Sequence, residues 1–175
     1  MLKNDKIKLR ALEPEDIHIL YKWENDPENW PVSSTMAPYS EFVLNQYLEN
    51  AHLDIYAAGQ LRLVIEDVVT GEDVGFVDLF EFDPLHLKAG VGILIGDEVF
   101  KQQGYATMAL ELIKEYAIKY LRLHQVYCHI DEANTKSIEL FQKVGFKEMA
   151  TLKDWKNIGG KWCDVKVYHF LNDEV

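Results

Sequence analysis

The sequence predicts a fold of the α/β (α+β) class: one mixed, strongly twisted sheet of six or seven strands flanked by about four helices. Three observations predict it. Strand and helix patterns alternate between residues 90 and 146; strand patterns follow one another around a turn in residues 61–82 and again in residues 146–171; and two helical patterns come before residue 60. With 175 residues, 48% of them hydrophobic, the chain can bury a sizeable core, and residues 1–175 read as a single domain. No repeat, linker or low-complexity stretch divides it.

Each element has its own signal. Lys6-Ile7-Lys8-Leu9-Arg10-Ala11-Leu12 alternates polar with apolar residues, the mark of a half-buried strand. Glu13-Pro14-Glu15-Asp16 opens a helix, with proline in the first turn and acids at the positive end of its dipole; Ile17, Leu20, Tyr21 and Glu24 form its stripe. Pro27 and Pro31 stop it. The long loop of residues 25–39 holds Asp26, Glu28 and Trp30 and reads as a wall of a substrate site, with Trp30 either lining that wall or folded back over the core. Ser40 caps a second helix, in which Val43, Leu44, Tyr47, Leu48, Ala51 and Ile55 keep helical spacing toward Gly59. Residues 61–66 and 74–82 make a hairpin, and Asp83-Pro84-Leu85-His86 turns the chain into the strand Gly90-Val91-Gly92-Ile93-Leu94-Ile95. Residues 146–155 and 162–171 are the last two strands, with Trp155 and Trp162 placed to pair across their turn.

The chemistry concentrates after residue 95. A loop, Asp97 to Thr107, joins the apolar strand to a helix whose Ala106, Ala109, Leu110, Ile113, Tyr116, Ala117 and Tyr120 share one face. The first turn of a helix has unpartnered N–H groups and a positive dipole end, so it suits phosphate. Gly104 lets an anion approach, and small Ala106 keeps the way open. A glycine at such a junction is also ordinary turn chemistry, and the segment is neither a Walker loop nor a dinucleotide fingerprint. Downstream, Gln125-Val126-Tyr127-Cys128-His129-Ile130 reads as a strand, and Asn134-Thr135-Lys136-Ser137 opens a short helix ending at Gly145-Phe146.

Lys101-Gln102-Gln103-Gly104-Tyr105-Ala106 together with Asn134, Ser137, Phe141, Gly145 and Phe146 resembles the GNAT superfamily of acyl-CoA-dependent N-acetyltransferases, in particular the branch with spermidine and ribosomal-protein N-terminal acetyltransferases. The likeness runs from Ile7 to Val165. It implies acetyl-CoA as donor, lying along Ile93, Leu94 and Ile95 and held at Lys101, Gln102, Gln103, Gly104, Tyr105, Ala106 and Thr107, with Asn134, Ser137 and Phe141 on its other side. Lys101 stands where the family consensus has Arg or Gln. A backbone N–H near Leu94 is the expected oxyanion donor. Asp78 matches a position where polyamine-acetylating relatives carry an acid, and on a regular strand it faces away from Glu81, so at most one of the two serves the amine. Phe141 replaces the tyrosine that protonates the departing thiolate in many relatives, leaving Tyr105 or a water as the substitute. For Asn134 the alternative is a plain helix cap, for Asp78 and Glu81 solvated surface acid, and His124 and His129 read as surface and strand-face histidines.

Composition narrows the partners. A net charge of −11 argues against nucleic acid and for a cationic amine. No run of 18 apolar residues and no signal-like segment is present, so a cytoplasmic protein without a membrane partner is expected. Cys128 and Cys163 read as free thiols without metal-ligand spacing, and no metal is expected. A homodimer is the assembly that soluble enzymes most often adopt. The leading reading is acetyl transfer to a polyamine or other small cationic amine. The alternatives are a protein N-terminal acetyltransferase and a CoA-binding module with little turnover.

Overall fold

The computed structural model describes residues 2–33 and 35–172, apart from the side chain of Val32. The strands are β1 Ile7–Arg10, β2 Leu61–Asp67, β3 Asp73–Asp83, β4 Lys88–Ile95, β5 Gln125–Asp131, β6 Lys147–Ile158 and β7 Lys161–Leu171. The helices are α1 Ile17–Glu24, α2 Trp30–Ser33, α3 Glu41–Glu49, α4 Ile55–Ala58, α5 Tyr105–Lys119 and α6 Thr135–Lys143. The strands form one seven-stranded sheet in the order β1-β2-β3-β4-β5-β7-β6. Every neighbouring pair is antiparallel except β4 and β5. This mixed sheet matches the expected class, and among the described residues α1, α3, α5 and α6 are the four helices longer than a single turn.

Strand alternation sends two sets of side chains to two faces. Leu63, Ile65, Val77, Leu79 and Val91 join Ala109, Leu110, Ile113 and Ala117 of α5 and Phe141 of α6 in the larger core. Val64 and Phe76 turn the other way and pack with Ile19, Leu20 and Trp23 of α1 and Leu44 of α3. Arg10 of β1 ties the turn before α1 to the β2–β3 hairpin, bonding Asp16 at 2.7 and 2.9 Å, Glu66 at 2.9 Å and Asp73 at 2.6 Å.

Three expectations about elements change. The α1 stripe is Ile19, Leu20 and Trp23 with the expected Ile17 half-buried against it, while Tyr21 is exposed; a 3-10 turn, Pro14–Asp16, precedes the helix. The helix expected to run toward Gly59 is two helices, because Asn50 ends α3 and Asp54 starts α4 by accepting the Ala57 N–H at 2.9 Å. Gly59 does end the second, at φ 69°. Trp155 and Trp162 do not pair: Trp162 faces Asn157 across the β6–β7 ladder, a register shift intervenes before Lys156, and both indoles are exposed.

Candidate active site

The parallel pair β4 and β5 is joined only at Lys88↔Gln125, Ala89↔Val126 and Gly90↔Tyr127. Beyond Gly90 the strands part, and the far half of β4 borders a gap. Which backbone groups face it follows from register. Gly96 donates its N–H to the Val74 carbonyl at 2.9 Å. Bonded pairs alternate along an antiparallel ladder, so Phe76↔Leu94 and Asp78↔Gly92 are bonded pairs as well. The N–H and C=O groups of Val91, Ile93 and Ile95 therefore point toward β5. This corrects the oxyanion assignment: the N–H of Leu94 is spent on β3, and the donors that open on the gap are those of Ile93 and Ile95.

At its far end β4 runs through a 3-10 turn, Glu98–Phe100, into the loop before α5. Gln102 at φ 61° and Gly104 at φ 86° are left-handed, and residues 101–104 are exposed. A Cβ on Gly104 would meet nothing within 4 Å, so it is the dihedral, not crowding, that favours glycine there. Gly104 starts α5 with no side-chain cap, leaving its first N–H groups to solvent or a ligand. Lys101 is ion-paired with Glu98, the Gln103 side chain bonds the Val99 carbonyl at 2.5 Å, and Ala106 and Thr107 are half-buried. On the other side of the gap Asn134 caps α6 by accepting the Ser137 N–H at 3.1 Å. Asn134 also lines a cleft of ≈ 670 Å³ with Asp131, Glu132, Trp162 and Asp164.

A parting of two parallel strands that leads to an open helix start suits an extended ligand that ends in phosphate. Residues 6–147 match the acetyltransferase (GNAT) domain model. The chain belongs to the GNAT acetyltransferase family. It is 29% identical to the spermidine N(1)-acetyltransferase of Vibrio cholerae over 98% of this chain and 96% of that one, and 31% identical to the Escherichia coli K12 spermidine N(1)-acetyltransferase over 89% and 81%. A putative ribosomal N-acetyltransferase of Bacillus subtilis is 27% identical over 98% and 94%. A crystal structure of the Vibrio cholerae spermidine N-acetyltransferase with CoA and spermine superposes with a TM-score of 0.86 at 27% identity, covering 96% of both chains.

On the α1 face of this GNAT sheet, Arg62, Asp78 and Gly92 lie in a row across β2, β3 and β4. Arg62 donates to both oxygens of Asp78, at 2.7 and 3.1 Å, and is ion-paired with Glu24 at the end of α1. Burial alone would lower the guanidinium's pKa, but the two carboxylates outweigh it and keep Arg62 charged. Two carboxylates against one guanidinium leave the row negative. Beside it, Glu24, Tyr39, Tyr47, Gln60 and Arg62 line a pocket of ≈ 210 Å³. Glu81 does not face away from Asp78 as on a regular strand. Its φ is 48°, the β3–β4 register jumps between Phe80 and Asp83, and its carboxylate accepts the Tyr127 hydroxyl at 2.6 Å on the same face.

The loop after α1 is tighter than its sequence implies. Asp26 accepts the Glu28 N–H at 3.0 Å, Glu28 is exposed, and the half-buried Trp30 donates its indole N–H to the Glu24 carbonyl at 3.1 Å, closing over the end of α1.

The hydroxyl of Tyr105, one of the two substitutes for the missing phenol, is engaged elsewhere. It donates to the buried Asp67 at 2.6 Å, and that bond together with burial pushes the phenol up to about 12. Phe141 lies in the larger core, edge-to-face with Phe146 at 5.1 Å. Cys128 and Cys163 are free, and burial pushes the Cys128 thiol up to about 12, which leaves it unreactive. His129 is exposed on β5, on the same face as Gly92.

The sequence reading missed Glu24, Arg62, Tyr47 and Tyr127 as neighbours of the acids singled out there. Arg62 carried a signal: a charged residue in a strand covered on both faces needs a partner, and Asp78 is the acid opposite it.

Proposed function

We propose that this chain moves an acetyl group from acetyl-CoA to a primary amine, with a polyamine as the acceptor. The parted β4 and β5 strands, continuous with the open α5 start, carry the reading. The donor's amide arm would bond Val91, Ile93 and Ile95 as an added strand, and its diphosphate would sit at Gln102, Gln103, Gly104, Ala106 and Thr107. Asn134, Ser137 and Phe141 would border its other side. Backbone N–H groups of Ile93 or Ile95 would face the charge that develops on the carbonyl oxygen.

The acceptor arrives as ammonium, since an alkyl amine has a pKa of about 10.4. The negative Glu24–Arg62–Asp78 row attracts it, and Asp26, Glu28, Trp30 and Glu81 border the approach. Asp78, clamped by Arg62, takes the amine proton through water. With no phenol at position 141, solvent protonates the departing thiolate; a thiol pKa near 8.5 makes it a tolerable leaving group. We further infer that residues 1–175 act as one domain, in the cytoplasm, as a homodimer.

The likeness to the Bacillus subtilis ribosomal N-acetyltransferase favours a second acceptor class, a protein N-terminal amine. Thiol release measured with acetyl-CoA and panels of polyamines, amino-acid amides and peptides decides between them. Polyamines are expected to react fastest. Faster reaction of a peptide amine would replace the polyamine reading, and no release with any amine would leave only a CoA-binding module.

A further inference from the structure

We propose that Lys6 is a phosphate-binding residue of the donor site, reaching the Gly104 turn from the segment before β1. The proposal rests on acetyl-CoA as donor. The Lys6 ammonium donates to the Gln103 carbonyl at 3.1 Å and lies 4.3 Å above the Tyr105 ring. One contact ties it to the residue before the turn and the other to the residue after it, although Gln103 is 97 positions away in sequence.

The platform under the ammonium is rigid. Tyr105 is fixed at its hydroxyl by Asp67 at 2.6 Å and at its ring by an edge-to-face contact with Phe100 at 5.9 Å. Asp67 in turn accepts the Val69 and Thr70 N–H groups at 2.8 and 2.9 Å, anchoring the pair in the β2–β3 turn. The backbone that carries Lys6 is held as well, since Asn4 accepts the N–H groups of Lys6 and Ile7 at 2.9 and 2.8 Å.

Other cations near the loop are already neutralised. Lys101 pairs with Glu98, and Lys22 pairs with Asp97 at 2.6 Å. Lys6 instead bonds a neutral carbonyl and has no carboxylate partner among the described residues, so its charge remains to be satisfied there. The N–H groups of a helix start amount to roughly half a positive charge, less than a diphosphate carries. An ammonium beside them supplies the remainder. The loop's own sequence gives no hint of it, because the charge comes from the other end of the chain.

The test compares acetyl-CoA with S-acetylpantetheine, which has the same thioester and amide arm but no phosphate. Lys6→Gln is expected to raise KM for acetyl-CoA about tenfold, the scale of one charge-assisted hydrogen bond, and to leave kcat/KM with S-acetylpantetheine unchanged. Lys6→Arg is expected to keep most of the wild-type KM. An unchanged KM for acetyl-CoA in Lys6→Gln overturns the assignment, and so does an equal loss with both donors, which would make Lys6 a support for Tyr105 only. Wild-type enzyme that uses both donors equally well would overturn the anion-binding loop itself, and the role of Lys6 with it.

Discussion

Tyr105 and Asp67 illustrate how a single contact can weigh against a catalytic role and create a structural one. A phenol that donates to a carboxylate in a buried site resists ionising, and the carboxylate it serves resists protonation; the Tyr105 bond is the largest influence lowering the Asp67 pKa. A depressed folded-state pKa means stability that is present above the unfolded carboxylate value, near pH 3.9, and lost as pH falls through the folded value. Tyr105→Phe should therefore lower the melting temperature at pH 7 by roughly 3 to 8 °C. That difference should begin to shrink as the pH falls below about 4 and vanish below the lower folded value of Asp67, where the carboxyl is protonated in both proteins. Turnover with saturating acetyl-CoA should stay within about threefold of wild type. A collapse of turnover without a change in melting temperature would restore Tyr105 as the proton donor.

At the level of elements, the parting of β4 from β5 organises the site, and its backbone is open to direct measurement. If Leu94 bonds Phe76 while Ile93 and Ile95 face the gap, amide hydrogen exchange should find Leu94 slow in the free protein. Ile93 and Ile95 should exchange fast and become protected when CoA is added. Protection of Leu94 alone on adding CoA would mean that the β4 ladder is shifted by one residue. The sequence foretold this region well, because strand, glycine-bearing loop and helix follow one another locally in residues 90–120. It was less informative where tertiary packing overrode local pattern. The stripe from Val43 to Ile55 has helical spacing throughout, yet Asn50 and Asp54 are capping residues that break it. The Glu81 misreading has the same origin: period two holds only for a regular strand, and a left-handed residue near the end of β3 is set by its bond to Tyr127, far away in sequence. Arg62 was legible only as a strand charge in need of a partner, which the hairpin register supplies in Asp78, and the contacts of Lys6 with Gln103 and Tyr105 were illegible because only the fold brings them together.

Across the whole molecule the balance is 29 acidic against 18 basic side chains, a net charge of −11, and the acids proposed to border the amine approach would add a local share. Among the carboxylates proposed to border the amine approach the charges are unevenly committed. Asp78 is clamped by Arg62, Glu81 holds Tyr127, Asp26 caps a turn, and Glu28 is exposed at the loop surface. A polyamine should be drawn by the summed field and then fixed by the nearest carboxylates, so its capture should depend on salt more than its chemistry does. Screening acts over about 8 to 10 Å at physiological ionic strength. KM for a polyamine should therefore rise several-fold between about 20 mM and 300 mM salt while kcat changes little, and KM for a neutral amine should stay flat. The two carboxylates separate the stages: Glu28→Gln should raise KM for the polyamine about two- to threefold and spare kcat. Asp78→Asn should cut kcat at least tenfold, equivalent to about 1.4 kcal/mol of barrier, because the amide cannot take the amine's proton. Equal salt response for charged and neutral amines would remove the field from substrate capture and return the acceptor question to shape alone.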